Sequence, residues 1–134
     1  MAPTVAIGLP VYNGERFLEE TLRSLLAQTV EDFVLVVVDN ASTDGTKDLV
    51  RSVMSRDSRV HYVRNDRNLG ASKNHNRAFD ACRRFQAPFF RWAAYDALVH
   101  PDYLAAALSA MQKAPEAMLV HSAVRLIDER GRDV

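Results

Sequence analysis

Apolar and polar positions alternate along this chain in blocks, and the period of each block predicts an element. Val5, Ile7 and Leu9 alternate with small residues over Thr4 to Leu9, which predicts a first strand ending at the turn cluster Pro10-Val11-Tyr12-Asn13-Gly14. From Glu15, apolar residues recur at Phe17, Leu18, Leu22, Leu25 and Leu26, the stripe of an amphipathic helix with Asn13 placed to cap it. Phe33 to Val38 is a continuous apolar run, and it stops at Asp39. Such a run predicts a strand buried on both faces, the state of a central strand in a parallel sheet. A second helix is expected over Thr43 to Ser55, with Leu49, Val50, Val53 and Met54 inward. A short third strand spans Val60 to Val63, and the Asn68-Leu69-Gly70 turn opens a third helix over Ala71 to Phe85. The inner face of that helix is small (Ala71, Ala78, Cys82), which permits close approach to a sheet. Pro88 to Ala94 predicts a fourth strand ending at Tyr95-Asp96, and Pro101 suits the first turn of a fourth helix that Pro115 stops. Ala117 to Ile127 reads as a last extended segment. The resulting order, β-α-β-α-β-α-β-α-β, predicts a three-layer α/β/α domain with a mostly parallel sheet and right-handed crossovers.

Composition narrows the function classes. The chain has 134 residues, 48% of them hydrophobic and 25% charged, an ordinary globular balance that supports one domain over 1–134. Lys plus Arg equals Asp plus Glu, 17 each, so no global field favours nucleic acid or an anionic membrane. The single cysteine, Cys82, excludes an internal disulfide and reads as helix packing. No apolar stretch is long enough to span a bilayer, and no basic-then-apolar secretory signal opens the chain. Cytoplasmic is the expected location, with any membrane association arising from regions outside 1–134.

In an open parallel sheet, ligands bind beyond the carboxyl ends of the strands. A dinucleotide site there needs Gly-x-Gly-x-x-Gly after the first strand, and this chain has Pro10-Val11-Tyr12-Asn13-Gly14 with one glycine. A Gly-x-x-x-x-Gly-Lys-Ser/Thr loop is absent too. Polar groups gather instead at three strand ends: Tyr12 with Asn13, Asp39 with Asn40, and Asp96. That array suits a base and ribose more than a bare phosphate. A carboxylate accepts from a ribose hydroxyl or base N–H, an aromatic packs on a base, and Asp96 can help hold a divalent ion against a diphosphate.

Four segments, in order, resemble those of the family 2 glycosyltransferases, which are inverting enzymes of the A-type, nucleotide-diphospho-sugar transferase fold. Pro10 to Glu15 resembles the family's Pro-x-Tyr-Asn opening, and Val36 to Thr46 its Val-Asp-Asp-x-Ser-x-Asp-x-Thr segment. Asn68-Leu69-Gly70 with Lys73-Asn74 is similar to its Asn-x-Gly and Arg-Asn helix start. Phe90 to Asp96, followed by Pro101 to Leu104, is similar to the strand carrying its metal motif. The resemblance implies the donor-binding part of such an enzyme, a Rossmann-like domain truncated relative to the family. It implies that Pro10, Tyr12, Asn13 and Glu15 line the nucleotide-sugar site, that Asp39 holds the base or ribose, that Lys73 lies near the diphosphate and that Asp96 is the first metal-motif acid.

Two departures shape the expectation. Ala97 stands where the family has a second acid, which weakens a Mg²⁺ or Mn²⁺ site. The family's catalytic base follows the region where these residues stop, so none is assigned, and the chain alone is expected to be inactive. An open sheet edge favours a homodimer, and the alternative reading is a non-catalytic or self-associating module of the same fold. A nucleotidyltransferase fits less well, because those enzymes open with a glycine-rich, basic loop. Structural roles compete at several positions: Ser42, Thr43 and Asp44 as turn formers, Lys73 as a solvated lysine, Trp92 as core. His61, His75, His100 and His121 have no ligand spacing.

Overall fold

A computed structural model describes residues 1–134. Four strands and four helices alternate: β1 (Val5–Val11), α1 (Glu15–Leu26), β2 (Phe33–Asp39), α2 (Thr46–Met54), β3 (Val60–Arg64), α3 (Ala71–Arg83), β4 (Phe89–Trp92) and α4 (Tyr103–Lys113). All strand pairs are parallel and the sheet order is β3-β2-β1-β4. The chain therefore steps outward from β1 through β2 to β3, then crosses back to place β4 on the other side of β1. The connection from β1 runs to one side and the one from β3 returns to the other, so the crevice between β1 and β4 is the topological switch point where such sheets bind ligands.

Alternation along the strands divides the core into two layers. Val5, Ile7, Leu9 and Val11 of β1, with Phe33, Leu35 and Val37 of β2, meet Leu18, Leu22 and Leu25 of α1, Val50 of α2 and Leu104 of α4. Ala6 of β1 and Val34, Val36 and Val38 of β2 face Ala78 and Cys82 of α3. Every residue of β2 is buried, as its unbroken apolar run predicts. Each of its six apolar side chains contributes about 1.5–3 kcal/mol by leaving water, so this strand anchors both layers. Small residues let α3 lie close: a Cβ on Gly8 would stand 3.1 Å from the Phe90 ring and 3.3 Å from the Ala78 methyl. Burial pushes the Cys82 thiol up to about 12, which fits an inert packing group.

The fold departs from the sequence reading in several places. Met54, expected inward on α2, and Ala71, expected on the inner face of α3, are exposed because each lies at the end of its helix. β1 runs on through Pro10 to Val11, two residues past the predicted end. β4 pairs with β1 only over Val5–Gly8, so Pro10, which has no N–H to donate, lies beyond that pairing. Asn13 does not cap α1. Gly14 holds the cap position, and Asn13 takes φ +51° and turns its side chain to the neighbouring loop. Trp92 is not core. It lies half exposed on the edge strand, stacked edge-on to Phe90 and donating its Nε1–H to the carbonyl of His75. Ala117 to Ile127 forms no strand, only one isolated bridge between Ile127 and Asp133. Its apolar side chains Met118, Leu119, Val124 and Leu126 are exposed, because an extended pattern becomes a strand only where a neighbour supplies hydrogen bonds.

Candidate functional site

The carboxyl ends of the strands frame a cleft of about 350 Å³ at the switch point. Pro10, Val11 and Tyr12 form its floor and one wall. Asn40 follows β2, and Asn68 follows β3. Ala71, Asn74 and His75 come from the first turns of α3, and Ala94, Tyr95 and Asp96 follow β4. Tyr12 and Asp96 are exposed. The Asp96 carboxylate makes no ion pair and accepts no hydrogen bond, so it is free for a ligand. No lysine or arginine lines the wall. The N-terminus of α3 abuts the cleft, and a helix N-terminus favours an anion.

Two loops hold this cleft by clasping each other. The backbone N–H groups of Asn13, Gly14 and Glu15 donate to Ser42 Oγ (2.9 Å), Thr46 Oγ1 (2.9 Å) and Asp44 Oδ2 (3.1 Å). In return, Thr43 N–H donates to Asn13 Oδ1 (2.8 Å) and Gly45 N–H to Glu15 Oε2 (3.0 Å). Carboxylates thus satisfy N–H groups at the start of both α1 and α2, where the helix dipole favours them. A Cβ on Gly45 would stand 2.4 Å from Glu15 Oε1, so any larger residue there must displace that carboxylate from the clasp. Burial would push the Asp44 carboxyl up, but hydrogen bonds from Thr46 and Glu15 outweigh it and hold it below the usual range.

Asp39 sits beneath the clasp, completely buried. Its Oδ1 accepts from Ser42 N–H at 2.8 Å, and its Oδ2 accepts from the Tyr62 hydroxyl at 2.5 Å and from Arg64 Nη1. Arg64 Nη2 reaches on to the Ser42 carbonyl at 2.8 Å. Burial alone would raise the Asp39 carboxyl, but Ser42, Tyr62 and the Arg64 guanidinium outweigh it and hold it below the usual carboxylate range. Burial, and the hydrogen bond to Asp39, push the Tyr62 phenol up to about 12.

Beside Asp39 lies a network of four asparagines. Asn65, buried, donates from Nδ2 to Asn40 Oδ1 (3.0 Å) and Asn74 Oδ1 (2.8 Å), and accepts from Arg77 Nε (2.8 Å). Asn40 donates to Asn68 Oδ1 (2.9 Å) and accepts from Leu69 N–H (2.8 Å). Asn74 donates to the Val38 carbonyl at 3.0 Å. The network ties the ends of β2 and β3 to the start of α3, and so fixes one wall of the cleft.

Of the residues the sequence singles out, Pro10, Tyr12 and Asp96 come together in the cleft wall. Asn13, Glu15, Asp39 and Lys73 do not line it. Asn13 and Glu15 belong to the clasp, Asp39 is saturated behind it, and Lys73 is exposed on the first turn of α3. Asn40, which the sequence places at a polar strand end, lines the cleft, whereas Asn68, Asn74, His75 and Tyr95 were not singled out as site residues. One signal for Asn74 was available: it precedes Ala78 and Cys82 by four and eight positions, a polar residue on a buried stripe. His75 contributes as a cleft neighbour without any metal-ligand spacing, and no cluster of three metal-ligating side chains is present.

A doubly wound parallel sheet with its open cleft at the β1–β4 switch point defines a Rossmann-like α/β domain. Residues 6–134 match Glycosyl transferase family 2, and the chain belongs to that family. It is 35% identical over 78 residues to TuaG of Bacillus subtilis (strain 168), a glycosyltransferase provisionally assigned to teichuronic acid biosynthesis. That match takes in 58% of this chain and 31% of TuaG. It is 28% identical over 131 residues to the uncharacterized glycosyltransferase MJ1057 of Methanocaldococcus jannaschii, covering 96% of this chain and 44% of that one. Among solved structures, S. aureus TarS 1-349 in complex with UDP-GlcNAc superposes with a TM-score of 0.71 at 25% identity, over 82% of this chain and 31% of that one. The fold is therefore that of the A-type glycosyltransferases, and the chain spans less than half the length of these relatives. Mannosyltransferase PcManGT from Pyrobaculum calidifontis, in complex with GDP-Man and Mn²⁺, superposes with a TM-score of 0.66 at 27% identity, over 83% of this chain and 33% of its own.

Proposed function

We propose that this chain is the donor-binding part of a glycosyltransferase that takes a nucleotide-diphosphate sugar for transfer to an acceptor hydroxyl. The observation that carries the reading is the cleft at the switch point, with the Tyr12 ring on one side and the unpaired Asp96 carboxylate on the other. Relatives of the same fold hold UDP-GlcNAc or GDP-Man, which supports a donor of that class. Tyr12 packs on the base, Pro10 shapes the floor, and Asn13, Glu15 and Asp39 act from behind by holding the two loops. Lys73, exposed on the first turn of α3 and outside the cleft lining, would have to swing inward to reach the diphosphate.

A divalent ion fits this arrangement through Asp96. The cleft wall supplies no cationic side chain, so a diphosphate leaving group needs its charge neutralised from elsewhere. Mg²⁺ and Mn²⁺ commonly bind through one carboxylate, with phosphate oxygens and water completing the shell, which accommodates Ala97. The ion would stabilise negative charge on the departing diphosphate.

Calorimetric titration with a panel of nucleoside diphosphates, with and without Mn²⁺, tests the reading. Binding of at least one, weakened by Tyr12→Ala, is expected. A folded sample that binds none of them sinks it. A second reading, a self-associating module, draws on the unpaired outer edge of β4 and the exposed Trp92, Met118 and Leu119 beside it. Purely monomeric sedimentation at high concentration removes that one.

A further inference from the structure

A second cleft, of about 270 Å³, lies beyond β3 and is separate from the donor cleft. It is lined by Arg64, Asn65, Asp66, Arg67, Leu69 and Arg77. Three arginines and one aspartate are among its six lining residues, in a chain whose total charge is balanced. Arg64 is already matched by Asp39. Arg67 and Arg77 have no acidic partner, and Asp66 makes no ion pair with either. Arg77 is exposed, yet its side chain is tethered at one point. Its Nε–H is fixed at 2.8 Å on Oδ1 of the buried Asn65, which leaves both terminal nitrogens unbonded and their plane set. Part of the ordering cost of binding is therefore already met. A planar fork of donors with a second arginine beside it matches tetrahedral oxyanions, which arginine binds through paired N–H···O contacts.

We propose that this cleft binds a phosphate group, held chiefly by Arg67 and Arg77. The site is distinct from that of the donor diphosphate, since the two clefts have no lining residue in common. The group could be terminal, as in inorganic phosphate or a monoester, or internal, as in a diester, and both present the oxyanion edge that the two guanidiniums recognise.

Titration of the full chain, followed by amide and arginine side-chain NMR shifts, tests the proposal with inorganic phosphate and dimethyl phosphate as probes. Saturable shifts at Asn65, Asp66, Leu69 and the Arg77 Nε–H are expected from at least one probe. A response to phosphate alone identifies a terminal group, and a response to dimethyl phosphate identifies an internal one. Arg67→Gln, which removes no contact within the protein, should weaken binding by about five- to tenfold, as loss of one charge-assisted contact implies. Arg67→Gln/Arg77→Gln, checked for an unchanged melting profile, should abolish it. No saturable shift with either probe overturns the proposal. So do shifts confined to His75 and Tyr95, or binding that is the same in Arg67→Gln as in the unmodified chain. A nucleoside diphosphate should still bind Arg67→Gln normally, which separates this site from the donor cleft.

Discussion

Asp39→Asn tests the buried support of the cleft, and its cost follows from the donors around the carboxylate. Three donors converge on Asp39: Ser42 N–H, the Tyr62 hydroxyl and Arg64 Nη1. Asparagine keeps the volume but has one acceptor oxygen and an NH₂ group. If that oxygen stays with Ser42, the amide hydrogens point at Tyr62 and Arg64. The hydroxyl can rotate to accept, but the guanidinium has no acceptor to offer. Hydrogen bonds to a charged group contribute about 1.5–3 kcal/mol each. The Arg64 side chain is 35% exposed and can turn toward water, which discounts its share. The net loss is then about 2–4 kcal/mol, or a fall of roughly 6–16 °C in Tm for a domain of this size. Thermal and urea unfolding followed by circular dichroism measure it. The pH dependence supplies an internal check. Asp39 is held below the usual carboxylate range, so on acidification the unfolded chain takes up the proton first. Its stabilisation is complete above the ordinary carboxylate pKa of about 4 and is lost as pH falls through the lower native value. The gap between the two proteins should therefore narrow in acid. A variant within about 0.5 kcal/mol of the unmodified chain at neutral pH refutes the reasoning. A gap that stays constant into acid refutes it too.

Other outcomes follow from the same geometry. Gly45→Ala should displace the Glu15 carboxylate and cost about 1–2 kcal/mol, but much less when Glu15 is already alanine; equal costs in a double-mutant cycle by urea unfolding would exclude the clasp. Asn74→Leu strands the Val38 carbonyl and one Asn65 N–H, and should destabilise by about 2–4 kcal/mol in the same assay; a neutral result would show that the network carries no net stability. Asp96→Asn should leave Tm unchanged, because the carboxylate has no partner in the protein, while removing any Mn²⁺-dependent part of nucleoside diphosphate binding; a Mn²⁺ effect that survives it places the ion elsewhere. Asp44, held low by Thr46 and Glu15, and Asp57, held low by Arg59, add to the acid sensitivity of the unmodified chain, so its Tm should fall steeply below about pH 4.

Much of this protein was legible in the chain itself, for local reasons. The run Phe33 to Val38 favours a strand buried on both faces, because it is too short for a buried helix and rich in β-branched valine. Alternating strands and amphipathic helices specify a parallel sheet, and parallel sheets bind ligands at their carboxyl ends, so Tyr12 and Asp96 were reachable from sequence. Tertiary structure decided what each polar group faces. Asp39 ends β2 and Asn40 is the first residue beyond it, yet one is sealed under Tyr62 and Arg64 while the other forms part of the cleft wall. The clasp between the loops after β1 and β2 joins residues about thirty positions apart, and the asparagine network and the arginine cleft likewise depend on β3 lying beside β2. Ala117 to Ile127 makes the same point in reverse, since its strand-like pattern, lacking a paired neighbour, remains unrealised in the fold. Periodicity is a property of a segment, whereas hydrogen-bond partners and burial belong to pairs of segments, and only the folded chain brings those pairs together.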